Sequence, residues 1–371
     1  MNDYRRLILV GAGHAHLHLL SRLREYRQSG LRVTVIAPGP FWYSGLGPSL
    51  LGGDAEPGDD TVDVRRMVES SGAEFLEDVV TRILPDQHAV SLRDHPDLNY
   101  DALSLNVGSC ITGPPGSEEF ATPVKPISRL LELRQRLTSR PRSARPLRIT
   151  VIGAGDAGVE VAGNLRRLLG HLGQAYRITI VSPGRRPLEN QPPRAAELLF
   201  ASLAPFEVHL LMGHRVTQVG PEAVTLDSGA SLASDLTILA TGVHPPELLR
   251  SSGLEVADDG ALKVNSFLQN PNHPRIFGAG DCIHFDEHPL PRIGVHAVRQ
   301  APVLHHNLRA FLAGTPLRAY RPQRTYLLIR NLGDGTGLLT WRSLVLRSRW
   351  ALVFKNWLDA RFVQRYQAKG G

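Results

Sequence analysis

Cysteine is almost missing from this chain. Only Cys110 and Cys282 occur among 371 residues. That excludes a CxxC redox motif, a four-thiolate zinc site and a disulfide-dense secreted scaffold, and leaves a single long-range bridge as the only cross-link open. Long apolar runs are missing too: no window reaches the roughly 18 residues of a membrane-spanning helix. Met1 to Arg6 lead straight into an apolar segment, with no room for a signal peptide's hydrophobic region. The expectation is a cytoplasmic, soluble protein, or one that touches a membrane from one side only, such as the inner face of the plasma membrane. There is no acidic excess. Lys and Arg number 42 against 35 Asp and Glu, a formal charge of +7 that suits a phosphate-bearing cofactor, a nucleic acid or an anionic membrane. What remains is ordinary globular composition, 42% hydrophobic and 21% charged, in a length suited to two or three domains.

Two glycine-rich turns stand out. Residues 7–10 (Leu-Ile-Leu-Val) read as a strand buried on both faces; Gly11, Ala12, Gly13, His14, Ala15 and His16 follow, then a helical stretch, then a second apolar strand at 32–36. Strand, glycine turn, helix, strand is a βαβ unit. Its glycines let backbone amides approach a pyrophosphate at a helix N-terminus. The match is imperfect: His16 stands where a third glycine would let the helix sit close, and Ala37-Pro38 stands where a ribose-binding acid is expected. A tight turn without ligand is the plainer alternative.

The second copy is complete. Residues 147–152 lead into Gly153, Gly155 and Gly158 at GxGxxG spacing, and residues 178–181 supply the next strand. After that strand come Ser182, Arg185 and Arg186 rather than an acid, which favours NADPH over NADH. Two such turns imply two dinucleotides in one chain, and hydride exchange between a flavin and a nicotinamide becomes the leading chemistry. Further strands end in Gly108 and Gly242. At 275–282 a glycine pair is followed by Asp281, whose carboxylate suits a ribityl hydroxyl.

In this combination the chain resembles the pyridine nucleotide-disulfide reductase superfamily, flavoproteins with two dinucleotide-binding domains. Within it the chain is similar to the type II NADH dehydrogenase group of NAD(P)H:quinone oxidoreductases, most of all to the flavoprotein module associated with selenide, water dikinase. The residues that carry the likeness are Gly11 to His16, Trp42-Tyr43-Ser44-Gly45, Pro123-Val124-Lys125-Pro126 and Ala297-Val298-Arg299-Gln300. The resemblance implies an α/β fold of two Rossmann-like domains. A discontinuous FAD domain would take residues 1–114 and 256–318, an NAD(P) domain 115–255, and a C-terminal amphipathic extension 319–371.

The resemblance also implies roles. FAD would lie against Gly11, Gly13, His14, Pro38, Ser44, Gly108, Gly280 and Asp281. NAD(P)H would lie on Gly153, Gly155, Gly158 and Gly242, with Ser182, Arg185 and Arg186 beside its ribose. Glu160 would handle protons, unless it is an ordinary carboxylate satisfied by backbone amides. Lys125 would favour negative charge on the flavin ring, unless it is a plain surface lysine. Gln300 would line a quinone pocket. The histidine groups (14, 16, 18 and 284, 288 with Cys282) form no closed ligand set, so no metal is expected. The missing thiol pair disfavours disulfide and sulfide chemistry.

The tail carries most of the charge excess. From residue 338 to the end, Arg342, Arg347, Arg349, Lys355, Arg361, Arg365 and Lys369 face one acid, Asp359, and three of the four tryptophans occur here. Trp350, Val353, Phe354, Trp357, Leu358, Phe362 and Tyr366 recur at helical spacing, which predicts a basic amphipathic helix at a membrane surface, or a stripe packed on the FAD domain or on a second subunit of a homodimer. No nucleic-acid recognition module is present. The expected function is therefore FAD-dependent transfer of electrons from NAD(P)H to a quinone. A soluble reductase with another acceptor, linked to selenium metabolism, and a non-catalytic flavin sensor are the rival readings.

Overall fold

The computed structural model describes residues 5–367; Lys369, counted above in the tail, lies outside them. In chain order the strands of two parallel sheets are β1 (Arg6–Val10), β2 (Arg32–Ala37), β3 (Glu74–Glu77) and β4 (Ala102–Leu105). Next come β5 (Ala121–Pro123), β6 (Leu147–Ile152), β7 (Tyr176–Ser182), β8 (Val208–Met212), β9 (Leu236–Leu239) and β10 (Ile276–Gly278). The first sheet has the order β10-β4-β1-β2-β3 and the second β5-β9-β6-β7-β8. All pairings within both are parallel. Because layers cover both faces, strands such as Leu7-Ile8-Leu9 and Ile149-Thr150-Val151 carry no exposed side.

In both sheets the strand that leads into a glycine turn is flanked by neighbours whose connections run in opposite directions. In the first, β1 lies between β2 and β4; in the second, β6 lies between β7 and β9. This is the topological switch point of an open α/β sheet, where a crevice opens at the carboxyl ends of the strands. Helix α1 (His14–Leu20) leaves the first crevice and α2 (Asp156–His171) the second. A third helix, α3 (Gly294–Ala313), packs along α1 with its own N-terminus at the first crevice, where a side chain on Gly294 would meet the His14 ring.

The C-terminal segment is woven into both cores. A meander of β11 (Leu328–Asn331), β12 (Gly337–Trp341) and β13 (Leu344–Ser348) gives Leu332 and Leu338 to the core around the second sheet. The last helix, α4 (Arg349–Gln367), gives Val363 and Tyr366 to the core around the first.

That helix corrects the single-stripe expectation. Its inward face is Ala351, Leu352, Lys355, Asp359, Val363 and Tyr366, while Trp350 (81% exposed), Val353, Phe354, Trp357 (52%) and Leu358 face outward. Phe362 and Tyr366 are therefore part of the interior rather than of one stripe with the tryptophans. The interior tolerates Lys355 and Asp359 because they pair with each other at i, i+4 and find further partners, the Gly45 carbonyl for the ammonium and the Tyr43 hydroxyl for the carboxylate.

Candidate functional site

The first glycine turn is held by a residue the motifs do not mark. Asn106, immediately after β4 and 3% exposed, accepts from the amides of Ala15 and His16 through Oδ1 and donates to the Ala279 carbonyl through Nδ2. One side chain thus ties together the start of α1, the end of β4 and the turn after β10. Gly13 is required here, since a Cβ on it would stand 2.5 Å from the Asn106 Oδ1. Gly11, at φ +82°, would drive a Cβ into the Asn106 carbonyl.

His16 occupies the missing third-glycine position as expected, and its ring fills the gap it creates. It is fully buried, with Nδ1 at the Gly11 carbonyl and Nε2 2.8 Å from the Ser104 hydroxyl. Burial holds its pKa down to about 4, so the ring is neutral.

Around this turn gather most of the residues expected at the flavin. Lys125 donates to the Ser109 hydroxyl at 2.8 Å and to the Asp281 carboxylate at 3.0 Å, and Ser109 donates to the same carboxylate oxygen. Burial raises the Asp281 pKa, and Lys125 with Ser109 more than offsets it, leaving the group an anion below its usual range. Lys125 is thus no free surface lysine; it reaches from the end of β5 to the turn after β10. His14 lies between the Asp281–Lys125 pair and an aromatic wall of Phe41 (4.9 Å), Tyr43 (5.6 Å) and Phe362 (5.8 Å). Burial takes its pKa down to about 4. Gln300, 1% exposed on α3, accepts the Gly280 amide at 2.7 Å and so fixes the glycine before Asp281. Ser44 begins a short turn (Ser44–Leu46), and Pro38 follows β2 on the surface.

The second turn has the geometry that GxGxxG spacing demands. A Cβ on Gly153 would stand 2.1 Å from the Ala240 carbonyl oxygen, and one on Gly158 1.9 Å from the Gly153 oxygen, so only glycine lets α2 pack this near β6. Gly155 and Gly242 face open space instead.

Glu160 is one turn into α2. Its Oε1 accepts the Asn331 amide at 2.7 Å. Burial drives its pKa up, against Lys355, that amide and Arg330, to about 7. In the loop after β7, Arg186 is turned back on its own chain. Its guanidinium donates to the carbonyls of Leu188, Glu189 and Gln191, so it staples the loop, and of the two arginines Arg185 is the exposed one.

Both turns fit a dinucleotide on structural grounds. Each helix starts at a glycine N-cap that brings no side chain of its own; Asn106 takes the Ala15 and His16 amides of α1, and α2 keeps its first-turn amides and positive dipole end for an anion. Gly108, Gly155 and Gly242 border open space that side chains would fill. The two cysteines form no disulfide, and burial pushes the Cys282 thiol up to about 12, away from thiolate chemistry.

The site residues that motif reading passed over are Asn106, Ser109, Tyr43, Asn331, Lys355 and Asp359. Tyr43 did lie within the quoted Trp42-Tyr43-Ser44-Gly45 segment, though without a role, and Lys355 and Asp359 left a signal as an i, i+4 charge pair.

The family profile of pyridine nucleotide-disulphide oxidoreductases matches residues 5–301. Ferroptosis suppressor protein 1 of Taeniopygia guttata is 28% identical over 312 residues, 77% of this chain and 78% of that one. Demethylphylloquinone reductase NdbB of Synechocystis is 26% identical over 341 residues, 87% of this chain and 84% of that one. Among solved structures, NDH2 from Plasmodium falciparum in complex with NADH superposes with a TM-score of 0.84 at 15% identity, covering 99% of this chain and 98% of that one. The sulfide:quinone oxidoreductase of Aquifex aeolicus superposes with 0.82 at 20% identity, covering 98% and 92%. The chain belongs to the pyridine nucleotide-disulphide oxidoreductase family, as an FAD-dependent oxidoreductase with NAD(P)H as co-substrate.

Proposed function

We propose that the protein oxidises NAD(P)H and reduces a quinone. The observation that carries this reading is the pair of glycine-turn helices, α1 and α2, one at the switch point of each sheet. The relatives named as a demethylphylloquinone reductase and a sulfide:quinone oxidoreductase support the class of acceptor. Bound FAD supplies the two-electron chemistry between donor and acceptor.

The chain's own residues divide the remaining work. Gly11, Gly13, Gly108 and Gly280 let backbone approach the FAD, Pro38 and Ser44 border it, and His14 stays neutral at neutral pH. Asp281, kept ionised by Lys125, takes a ribityl hydroxyl. Lys125 holds positive charge beside the ring. Gln300 positions Gly280 and borders the acceptor. Gly153, Gly155, Gly158 and Gly242 receive the nicotinamide coenzyme. Ser182 and Arg185 meet its ribose, and the preference for NADPH rests on Arg185 once Arg186 is committed to its loop. Glu160, half protonated near neutral pH, passes a proton in the step that its pKa suits.

The domain limits follow this division: residues 1–114 and 256–318 serve FAD, 115–255 serve NAD(P)H, and 319–371 are the segment that contacts a membrane or a subunit interface. Among the described residues no helix is long and apolar enough to cross a membrane. The outward aromatic face of α4, with Trp341, Leu344 and Leu346 beside it and Arg342, Arg349 and Arg361 among them, would rest on an anionic membrane where a quinone is dissolved. Quinone-dependent oxidation of NADPH or NADH by the purified flavoprotein, with and without vesicles, tests the reading. Turnover with a soluble acceptor only would replace the quinone, and homodimers without vesicle binding would assign that face to a second subunit.

A further inference from the structure

Arg330 is the largest fully buried side chain among the described residues, at 0% exposure, and it lies under the second glycine turn. Its Nε donates to Oδ1 of Asp156, the first residue of α2. Its Nη1 donates at 3.2 Å to the Thr340 hydroxyl, which in turn donates at 3.1 Å to Gln191 in the loop that Arg186 staples. Its Nη2 is buried with no partner.

An arginine with no exposure is costly unless its charge serves something. Asp156 supplies the reason. The N-terminus of α2 is the anion site of the turn, and its N-cap, Gly155, has no side chain to occupy it. A carboxylate one residue into that helix, 40% exposed, is the group best placed to swing over the free amides and hold them against an incoming pyrophosphate. It would also repel that pyrophosphate at close range.

We propose that Arg330 is a positioning residue for the nicotinamide coenzyme. It draws the Asp156 carboxylate sideways onto β11, neutralises it, and keeps the amides of the second turn open to the pyrophosphate. Through Thr340 and Gln191 the same guanidinium links the pyrophosphate turn to the ribose loop. The inference rests on the assignment of NAD(P)H to the second turn.

The test is a cycle of four proteins: wild type, Asp156→Asn, Arg330→Met and the double variant. Calorimetric binding of NADP+ and NAD+ to each FAD-loaded protein is measured at low salt, with thermal melting and the bound-flavin spectrum as fold controls. Arg330→Met is expected to weaken binding about tenfold by releasing an unneutralised carboxylate at the turn. Asp156→Asn is expected to bind as wild type or more tightly, and in the double variant it should recover most of the loss, while the flavin spectrum stays unchanged in all four. A double variant as weak as Arg330→Met overturns the proposal. So does an Asp156→Asn protein that binds about tenfold more weakly, since Asp156 would then be a ligand of the coenzyme; this variant is partly exposed and remains informative if Arg330→Met does not fold. Wild-type protein that binds neither coenzyme would instead overturn the placement of NAD(P)H.

Discussion

At Glu160 burial and hydrogen bonding pull in opposite directions. Burial favours the neutral acid, the Lys355 charge and the Asn331 amide favour the anion, and the balance lies near pH 7 against an ordinary value of 4.5. Between those two values the folded protein holds a proton that the unfolded chain has lost. Folding stability therefore falls as pH rises through that window, and the contribution is complete only below it. Glu160→Gln should flatten the fall, read as denaturant midpoints at pH 5 and pH 8. It should also remove an inflection near pH 7 from the rate of acceptor reduction; an inflection that survives in the variant assigns the proton to another group. The glycines of both turns were legible because each answers a local demand, a positive φ at Gly11 or a helix brought against a strand at Gly158. Asn106, Arg330 and Asn331 were not, because each is defined by partners such as Ala279, Asp156 and Glu160, which are 171 to 174 positions away in the chain. The loop contacts of Arg186 were hidden for the same reason: a charge in a loop does not show which way its guanidinium turns.

Helix α4 shows what periodicity conveys about an element and where it stops. The 3.6-residue recurrence of large apolar residues identified the helix, but both of its faces are partly apolar, and the interior was settled by Lys355 and Asp359. Lys355→Met strands a buried carboxylate, with an expected cost of about 3–5 kcal/mol. Replacing the pair together by apolar residues should cost less, and thermal melting of the single and double variants measures the difference. Equal losses would mean that the helix is held by its apolar contacts alone. The opposite face predicts the reverse pattern. A double substitution of Trp350 and Trp357 by Ser should leave the melting temperature and bound flavin intact and abolish sedimentation with anionic vesicles. Unchanged vesicle binding would remove the membrane role from this face. Point substitutions are needed because truncation after about residue 340 would also remove Val363 and Tyr366 from the core of the first sheet.

For the whole molecule, the order of strands and glycine turns sufficed to place two parallel sheets, each with a crevice at its switch point. The return of the chain to the first sheet at β10 was legible from the Gly-Ala-Gly-Asp turn that follows it. Packing of α4 on the first core was among the expectations, whereas docking of the β11–β13 meander on the second was not, because nothing local in the meander announces that contact. With NAD(P)H on the second turn and FAD on the first, as proposed, electrons pass from nicotinamide to flavin within one chain. An anaerobic titration of the purified protein, with NADPH and separately NADH, tests that most directly. The account predicts that the bound-flavin absorbance bleaches on addition of either coenzyme, at lower concentration for NADPH, and returns when a quinone is added. A flavin band that neither coenzyme bleaches would contradict it.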